Sequence, residues 1–555
     1  MYRVVLFLFF VLSVHCEEDV KSLIVELADG PVQGVKYWNG DYYQFLGVPY
    51  ATAPTGRDRY KPPLPVTPRD YVLQADKEFS MCHQAFYTED DDEESFLNGE
   101  EDCLVMNILV PLIANETNLL PVIVYIHSGA FAGGSANMGK LHHVASRDVI
   151  AISFNYRVGA IGFACLGTED IPGNAGLKDQ FAALKWINKN INKFGGDPNR
   201  VTLAGFSVGA AMAELHALTK HSDGLFTKLI LESGSALAPF AINRHPIETA
   251  RNIAISMGYN GTENIKELNE FYLEAPIKDL AIKSVNFFLT NSTFGFSPCI
   301  ESAENNPEPF LTESPLDILK DGKFKKIPIL TGYSNMEGLS RANKFNEWAD
   351  LMNYKFADFI PADLIFDDAA AKKDVVKNIR KQYFKDEAIT HSSKQKYVDY
   401  FSDSMFKYPI MRSLKLHAGL TENPIYLYEF SYVGRLSMKH HFMGTIHGAS
   451  HRDQTAYIWD LLTYTDSLSD MDTRERLTYM WADFARYGNP TAFESSLLSV
   501  KWLKYSNEDT DYLSIGNELE MKKDLFEDTY QFWNNIYEKY YWNPESVKKI
   551  INKSL

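Results

Sequence analysis

The chain has 555 residues, of which 45% are hydrophobic, so it is long enough to bury a large core. Its formal net charge of −17 argues against a nucleic-acid-binding surface and against binding to an anionic membrane. Length alone suggests about three domains, but no internal repeat and no long Gly/Ser/Pro linker divides the sequence. We therefore expect residues 17–555 to form one large domain.

The N-terminus has the pattern of a secretory signal peptide. One basic residue, Arg3, precedes a largely apolar run over 4–14, and Val14 and Cys16 are small enough to permit cleavage before Glu17. A membrane anchor needs about 20 apolar residues, which neither this run nor any later one reaches. We expect residues 1–16 to be a signal peptide and the mature protein to be secreted and extracellular, without a membrane anchor.

Four acceptor sequons for N-glycosylation fit this route. They begin at Asn115, Asn260, Asn291 and Asn552. Such tripeptides are also common by chance, so they agree with secretion without requiring it.

Strand-like apolar runs alternate with helical patterns along the middle of the chain. A run over 121–126 ends in a tight turn at 127–131, and a helical stretch covers 179–192. This alternation predicts an α/β fold in which a mostly parallel sheet is covered by helices on both faces.

The most informative stretch follows, because a strand-like run over 201–206 leads through Ser207 directly into a helix-forming segment. The serine stands in a Gly-x-Ser-x-Gly pattern with Gly205 and Gly209, which is typical of a nucleophile elbow. Such a turn holds its serine in a strained conformation, and the small flanking residues let strand and helix pass closely. The pattern also arises by chance, so its support has to come from the rest of the chain.

A serine hydroxyl needs a base to accept its proton and an acid to orient that base. An apolar strand over 327–332 is followed by a glycine-bounded turn that contains Glu337, our candidate acid. Without the upstream serine, this residue would be taken for an ordinary surface glutamate. Further on, the segment 444–453 offers two histidines, His447 and His451, and the residues alone leave both open as the base.

Several further motifs occur in a fixed order around these residues. They are Phe45–Ala51, Glu101–Ile108, Asn155–Ala160, Pro172–Gln180, Phe194–Pro198 and Trp481–Pro490. Together with the serine pattern they resemble the type-B carboxylesterase/cholinesterase family of α/β-hydrolases over nearly the whole mature chain, and the opening motif is most similar to insect secreted carboxylesterases. The resemblance implies an α/β-hydrolase fold with a large, mostly parallel central sheet. It also implies hydrolysis of small-molecule esters without a metal or a cofactor.

The family pattern separates the two histidines. Its catalytic histidine follows a glycine by three residues and precedes an aromatic-apolar-aromatic run, a spacing that His451 fits and His447 does not. The resemblance therefore implies that Ser207 attacks the ester, that His451 relays its proton and that Glu337 holds the imidazole. It also implies that Ser233 supports the acid by a hydrogen bond.

The turn after the 121–126 strand resembles the family's His-Gly-Gly-Gly-Phe motif. By position, the backbone N–H groups of Gly129, Ala130 and Val208 would stabilise the oxyanion. Ser128 and Ala130 stand where the family usually has glycine, so a side chain there strains the turn if its φ is positive. Phe206 replaces a polar or acidic residue, which argues against cholinesterase activity and makes juvenile hormone esterases a poor match.

Removal of the signal peptide leaves four cysteines in an oxidising compartment. The resemblance pairs Cys82 with Cys103 as the family's first disulfide. Cys165 and Cys299 lie in apolar motifs where relatives usually carry other small or apolar residues, so we expect them to be buried free thiols.

The resemblance alone implies three further features. These are an ion pair between Arg59 and Glu101, an ion pair between Arg157 and Asp179, and a place for Phe294 and Phe296 in either the acyl pocket or the plain core.

The family also contains adhesion and binding proteins that keep the fold and lose catalytic residues. The alternative to an esterase is therefore a non-catalytic or slow-turnover member that sequesters its ligand. The presence of Ser207, Glu337 and His451 favours the enzyme. The sequence leaves open the physiological ester, a digestive, detoxifying or odorant-degrading role, and the oligomeric state.

Overall fold

The computed structural model describes residues 21–86, 96–261, 263–285, 289–304, 306–437, 446–459 and 465–542. The expected signal peptide over 1–16, Thr262 of the sequon at Asn260, and the sequon at Asn552 lie outside the described residues. Asn115 and Asn260 are exposed, and Asn291 is half-buried. None of the helices in these ranges is long and apolar enough to cross a membrane.

The strands build one large mixed sheet and a separate two-stranded sheet. They are β1 (Ser22–Val25), β2 (Val32–Lys36), β3 (Tyr42–Pro49), β4 (Leu73–Gln74), β5 (Gln84–Phe86), β6 (Phe96–Asn98), β7 (Val105–Pro111), β8 (Leu120–Ile126), β9 (Ile150–Phe154), β10 (Gly196–Phe206), β11 (Lys228–Glu232), β12 (Ile329–Ser334), β13 (Ile425–Phe430), β14 (Tyr512–Ile515) and β15 (Leu519–Lys522). Within the described ranges, 13 strands form the large sheet in the order β1-β2-β3-β7-β9-β8-β10-β11-β12-β13-β14-β15, with β4 beside β2, while β5 pairs with β6.

The centre of the large sheet is parallel and its edges are antiparallel. The block from β9 through β8, β10, β11, β12 and β13 to β14 is parallel throughout. The pairs β1–β2, β2–β3, β3–β7 and β7–β9 and the final β14–β15 pair are antiparallel, while β4 lies parallel to β2. All seven residues of β8 are buried, as expected for a strand covered on both faces. The predicted α/β class with a mostly parallel central sheet is therefore confirmed.

Helices cover both faces of this sheet. They are α1 (His142–Ala145), α2 (Gly159–Phe163), α3 (Ala175–Asn190), α4 (Val208–Leu218), α5 (Pro246–Ser256), α6 (Ile265–Glu274), α7 (Ile277–Ser284), α8 (Pro315–Lys320), α9 (Phe345–Lys355), α10 (Ala369–Phe384), α11 (Lys394–Ser402), α12 (Tyr408–Ala418), α13 (Thr455–Ile458), α14 (Leu468–Tyr487) and α15 (Glu527–Tyr540). Because side chains alternate between the faces of a strand, Val122 and Val124 of β8 enter one hydrophobic core and Ile123 and Tyr125 enter the other. The first core is closed by α3, α4 and α12, and the second by α14.

Two disulfides join the described cysteines. Cys82 is bonded to Cys103, the pair that the resemblance implied. Cys165 is bonded to Cys299, so the expectation of two buried free thiols is wrong. Gly173 packs over this second bond, since a Cβ at that position would lie 2.7 and 2.8 Å from the two sulfurs. The partners are 134 residues apart in sequence, and only tertiary packing brings them together.

One of the two expected ion pairs is present. The Arg157 guanidinium lies 2.5 Å from the Asp179 carboxylate, and both side chains are buried. The expected pair of Arg59 with Glu101 is not among the contacts of the described residues. Arg59 instead donates hydrogen bonds to the carbonyl oxygens of residues 273 and 275 at the C-terminus of α6, where a cation is favoured.

Candidate active site

Ser207 lies in a strained turn between the end of β10 and the start of α4. Its φ of 56° and ψ of −120° are unusual for a residue with a side chain. The turn has no room for a side chain at Gly205, since a Cβ there would lie 2.4 Å from the Gly209 backbone. A Cβ on Gly209 would lie 2.3 Å from the carbonyl oxygen of Ile126. The surrounding strands therefore hold the serine hydroxyl at the carboxyl edge of the sheet.

The described structure brings His451 and Glu337 to this serine. The His451 Nε2 atom lies 3.0 Å from the Ser207 hydroxyl, and its Nδ1 atom hydrogen-bonds the Glu337 carboxylate. Glu337 is fully buried, and its second oxygen accepts a hydrogen bond from the Ser334 amide at 2.8 Å. His447 lies exposed on the loop before His451. The three residues thus form a continuous hydrogen-bonded chain from serine to carboxylate.

The His451 imidazole is held between two phenylalanine rings. Its ring centroid lies 4.6 Å from that of Phe206 and 4.5 Å from that of Phe406, with an interplanar angle of 38° in each case. Phe206 belongs to β10, whereas Phe406 belongs to a π-helix, Asp403–Lys407, between α11 and α12. A π-helix has no reliable sequence signal, so Phe406 was missed by the sequence analysis.

An aromatic wall continues from Phe406 toward the turn that follows β8. Phe406 contacts Phe240 with ring centroids 5.7 Å apart, and Phe240 contacts Phe294 at 5.3 Å. Phe294 in turn contacts Phe131 at 6.3 Å. All four rings are buried. The wall therefore links the imidazole to the turn with the candidate oxyanion donors, and Phe294 takes part in it.

Of the two residues whose side chains would strain the turn after β8 at a positive φ, Ala130 has a positive φ and Ser128 does not. Gly129 has a φ of 124° and Ala130 one of 52°. The turn is closed by hydrogen bonds from the amides of residues 132 and 133 to the Gly129 carbonyl, at 3.0 and 3.1 Å. Among the described residues, the amides of Gly129, Ala130 and Val208 donate to no acceptor. Val208 opens α4, so its N–H also lies at the positive end of the helix dipole.

Burial shifts the pKa values of two ionisable groups beside the site. Burial lowers the pKa of His127 to about 4, although a hydrogen bond to the Ser128 carbonyl opposes this change. The His127 ring stacks on Tyr156 with centroids 4.1 Å apart. Burial raises the pKa of Glu232 well above its usual range. Glu232 is the cross-strand partner of Phe206, and burial favours its uncharged form.

Ser233 does not contact the acid as expected. Its hydroxyl accepts a hydrogen bond from Gln454 Nε2 at 2.6 Å, and no bond from Ser233 to Glu337 occurs among the described residues. Gln454 Oε1 accepts a second bond from the Ser334 hydroxyl at 2.5 Å. Gln454 therefore lies between Ser233 and the segment that contains Ser334 and Glu337. The sequence analysis missed this glutamine, and its position three residues after His451 is the one signal that could have found it.

The chain is similar to known esterases along almost its full length. A family model described as "Carboxylesterase family" matches residues 21–533. A carboxylic ester hydrolase from Bombus ignitus is 32% identical over 509 residues, which are 89% of this chain and 90% of that protein. Venom carboxylesterase-6 from Apis mellifera is 31% identical over 513 residues, which are 90% of each chain.

The fold has a close counterpart among solved structures. The crystal structure of juvenile hormone esterase from Manduca sexta, with OTFP covalently attached, matches with a TM-score of 0.82 and 28% identity. The match covers 93% of this chain and all of that one. The fold therefore defines the protein's class as an α/β-hydrolase. Within that class the chain belongs to the carboxylesterase family, and it is a carboxylic ester hydrolase.

Proposed function

We propose that the protein is a secreted serine carboxylesterase that works through Ser207, His451, Glu337 and an acyl-enzyme. The observation that carries this proposal is the 3.0 Å separation between His451 Nε2 and the Ser207 hydroxyl. That distance is within the range over which a base can accept the proton of a nucleophile. The strained turn around Ser207 supports the same role, because strain of this kind clusters at active sites.

Catalysis then proceeds by two acyl transfers. His451 takes the Ser207 proton as the serine oxygen bonds to the ester carbon, and the carbonyl electron pair moves to its oxygen. The pair returns as the C–O bond to the alcohol breaks, and His451 gives its proton to the departing alkoxide. Water repeats the sequence on the acyl-enzyme and releases the acid. Glu337 accepts the hydrogen bond from the His451 Nδ1–H group and stabilises the imidazolium that forms in each half-reaction.

The amides of Gly129, Ala130 and Val208 are the donors for the oxyanion in this proposal. Their support is that none of the three donates to another acceptor among the described residues. One such donor typically contributes about 2.7 to 4 kcal/mol of transition-state stabilisation. Burial lowers the pKa of the nearby His127 and favours its uncharged form, so this proposal assigns the stabilisation to the backbone amides.

The proposed substrates are neutral esters with apolar acyl and alcohol groups. Phe206 and Phe406 flank the imidazole that protonates the leaving alcohol, and Phe240 and Phe294 continue the wall toward Phe131. Such a wall favours apolar groups, because a charged group would lose its hydration without gaining a partner.

Secretion is supported by two independent features. Residues 1–16 have a signal-peptide pattern, and both disulfides require an oxidising compartment to persist. On this route the sequons are candidates for N-linked glycans. They begin at Asn115, Asn260, Asn291 and Asn552.

The test is to incubate the secreted protein with a short-chain aryl ester and a stoichiometric organophosphate. Hydrolysis and the mass of the Ser207 peptide are followed together, with Ser207→Ala as the control. We expect activity to disappear in proportion to one label on Ser207, and the control to take no label. Labelling without turnover would favour a slow, sequestering protein, and the absence of both would contradict the proposal.

A further inference from the structure

Gln454 joins the segments that carry His451 and Glu337 to the segment that supports Ser207. Its side chain is buried, with 1% of its surface exposed. Its Nε2 group donates to the Ser233 hydroxyl at 2.6 Å, and its Oε1 atom accepts from the Ser334 hydroxyl at 2.5 Å. The glutamine itself lies three residues after His451. One side chain thus contacts two neighbouring segments while belonging to a third.

The Ser233 segment is tightly coupled to the nucleophile. The residue before it, Glu232, accepts the Ser207 amide hydrogen bond through its carbonyl oxygen at 2.7 Å. The residue after it, Gly234, packs so closely that a Cβ there would lie 2.0 Å from the Ser207 carbonyl oxygen. A shift of Ser233 would therefore move the backbone that supports the serine.

The Ser334 segment is coupled to the acid. Ser334 ends β12, and its amide donates to a Glu337 oxygen at 2.8 Å while its hydroxyl donates to Gln454. The segment of Gln454 is coupled to the base, because Asp453 accepts from the amide and the hydroxyl of Ser450, both at 2.8 Å. These bonds make residues 450–454 a compact unit. Gln454 connects this unit to the carboxyl ends of β11 and β12 through Ser233 and Ser334.

We propose that Gln454 is a positioning residue for the triad, which sets the separation of His451 from Ser207 and Glu337. This inference rests on the proposed function of these three residues. An amide suits the position because it donates to one hydroxyl and accepts from the other at the same time. A carboxylate could only accept, and an apolar side chain could do neither, which would leave Ser233 and Ser334 with buried unpaired hydroxyls.

The central test compares Gln454→Leu with Gln180→Leu. Gln180 is also a fully buried glutamine with two side-chain partners, Met212 and His216, but it lies on α3 away from the three loops. Misplacement of a catalytic group by about 1 Å can lower a rate about 100-fold. We expect Gln454→Leu to lower kcat for the aryl ester by about 10- to 100-fold with little change in KM. We expect Gln180→Leu to lower the melting temperature and to leave kcat unchanged.

The partner hydroxyls provide a second test that does not depend on whether Gln454→Leu folds. Ser334→Ala removes only the hydroxyl and keeps the amide bond to Glu337. Ser233→Ala combined with Ser334→Ala should reproduce the loss of kcat, and adding Gln454→Leu should cause no further loss. The rate of organophosphate labelling at Ser207 should fall in parallel, because labelling also needs the base.

The outcomes separate this inference from the proposed function. A wild-type protein that neither labels nor turns over would contradict the proposed function itself. A wild-type enzyme that does both, with Gln454→Leu or the double serine variant matching it in kcat, would overturn only the positioning role. Equal losses of kcat in the Gln454 and Gln180 variants would also overturn it, because they would reflect a general effect of removing a buried amide.

Discussion

The disulfide between Cys165 and Cys299 gives a direct quantitative test of the fold. Replacing both cysteines with alanine opens a loop that spans 134 residues of sequence. The chain-entropy relation assigns the closure of a loop of that length about 5 kcal/mol of stability. Both side chains are buried, so truncation to alanine adds a cavity cost of the same sign. We therefore expect the double variant to lose about 5 kcal/mol in its free energy of unfolding.

The assay is equilibrium unfolding in urea, followed by tryptophan fluorescence, on the mature protein. The matched control replaces Cys82 and Cys103, whose loop spans 21 residues and whose closure contributes about 3 kcal/mol by the same relation. Both double variants remove two sulfur atoms, so the difference of about 2 kcal/mol between them reports loop length. The activity of the folded Cys165/Cys299 variant should match that of the wild type.

Alkylation of the denatured, non-reduced protein precedes the unfolding experiment. With both disulfides formed, we expect none of Cys82, Cys103, Cys165 and Cys299 to react. Equal free energies of unfolding for the wild type and the Cys165/Cys299 variant would refute the loop-closure argument. Alkylation of Cys165 and Cys299 in the wild type would show that the pair does not form in the secreted protein.

Three further predictions concern the site. Glu337→Gln keeps the shape of the acid but removes its charge, so kcat should fall by about 10⁴-fold while the melting temperature changes little; a loss below tenfold would remove Glu337 from the triad. Phe206→Glu puts a carboxylate beside the His451 imidazole and stabilises its protonated form, so the acidic limb of kcat/KM should move to higher pH; an unchanged profile would contradict the contact. The pKa of His127 is about 4 in the folded protein against 6.5 for the ordinary side chain. Between these values the unfolded state binds the extra proton, so stability falls as the pH falls, by about 3 kcal/mol from this residue. His127→Phe, which keeps a ring for Tyr156 to stack on, should flatten the pH dependence of unfolding in that window, and an unaltered slope would contradict the assignment.

The departures from the family pattern are accommodated in the backbone around the site. Ala130 takes a φ of 52°, at a cost of order 1 kcal/mol for a residue with a small side chain. The next residue, Phe131, has a φ of 62°, and its carbonyl oxygen accepts the Gly159 amide at 2.6 Å. The amides of Gly129 and Ala130 thus donate to no acceptor among the described residues, although glycine is absent at position 130.

The local motifs were sufficient to predict where the site lies. The Gly-x-Ser-x-Gly pattern located the elbow because tight passage of strand and helix requires small residues at fixed offsets from Ser207. The candidate acid could be proposed because it follows a strand whose end lies at the same edge of a parallel sheet, whereas the choice of His451 over His447 needed the spacing of the family motif. The alternation of apolar runs and helical patterns predicted the α/β class for the same reason, since a strand covered on both faces must be apolar throughout.

Contacts between segments distant in sequence could not be predicted in this way. The sequence predicted that Cys165 and Cys299 are free thiols, but they form a disulfide. It also predicted a hydrogen bond from Ser233 to Glu337, but Ser233 is bonded to Gln454 instead. The ring of Phe406 contacts the imidazole from a π-helix that lies 45 residues before His451 in the sequence.

By itself the sequence predicted the class of fold, the turn around Ser207 and a candidate acid, since each depends on residues within a few positions of one another, and the family resemblance then selected His451 over His447 as the proposed base. The tertiary structure decided which cysteines pair, which rings enclose His451 and which side chain joins the three loops. Each of these contacts depends on how separate elements pack against each other. Packing requires complementary shapes and hydrogen-bonding groups on segments that are far apart in the sequence.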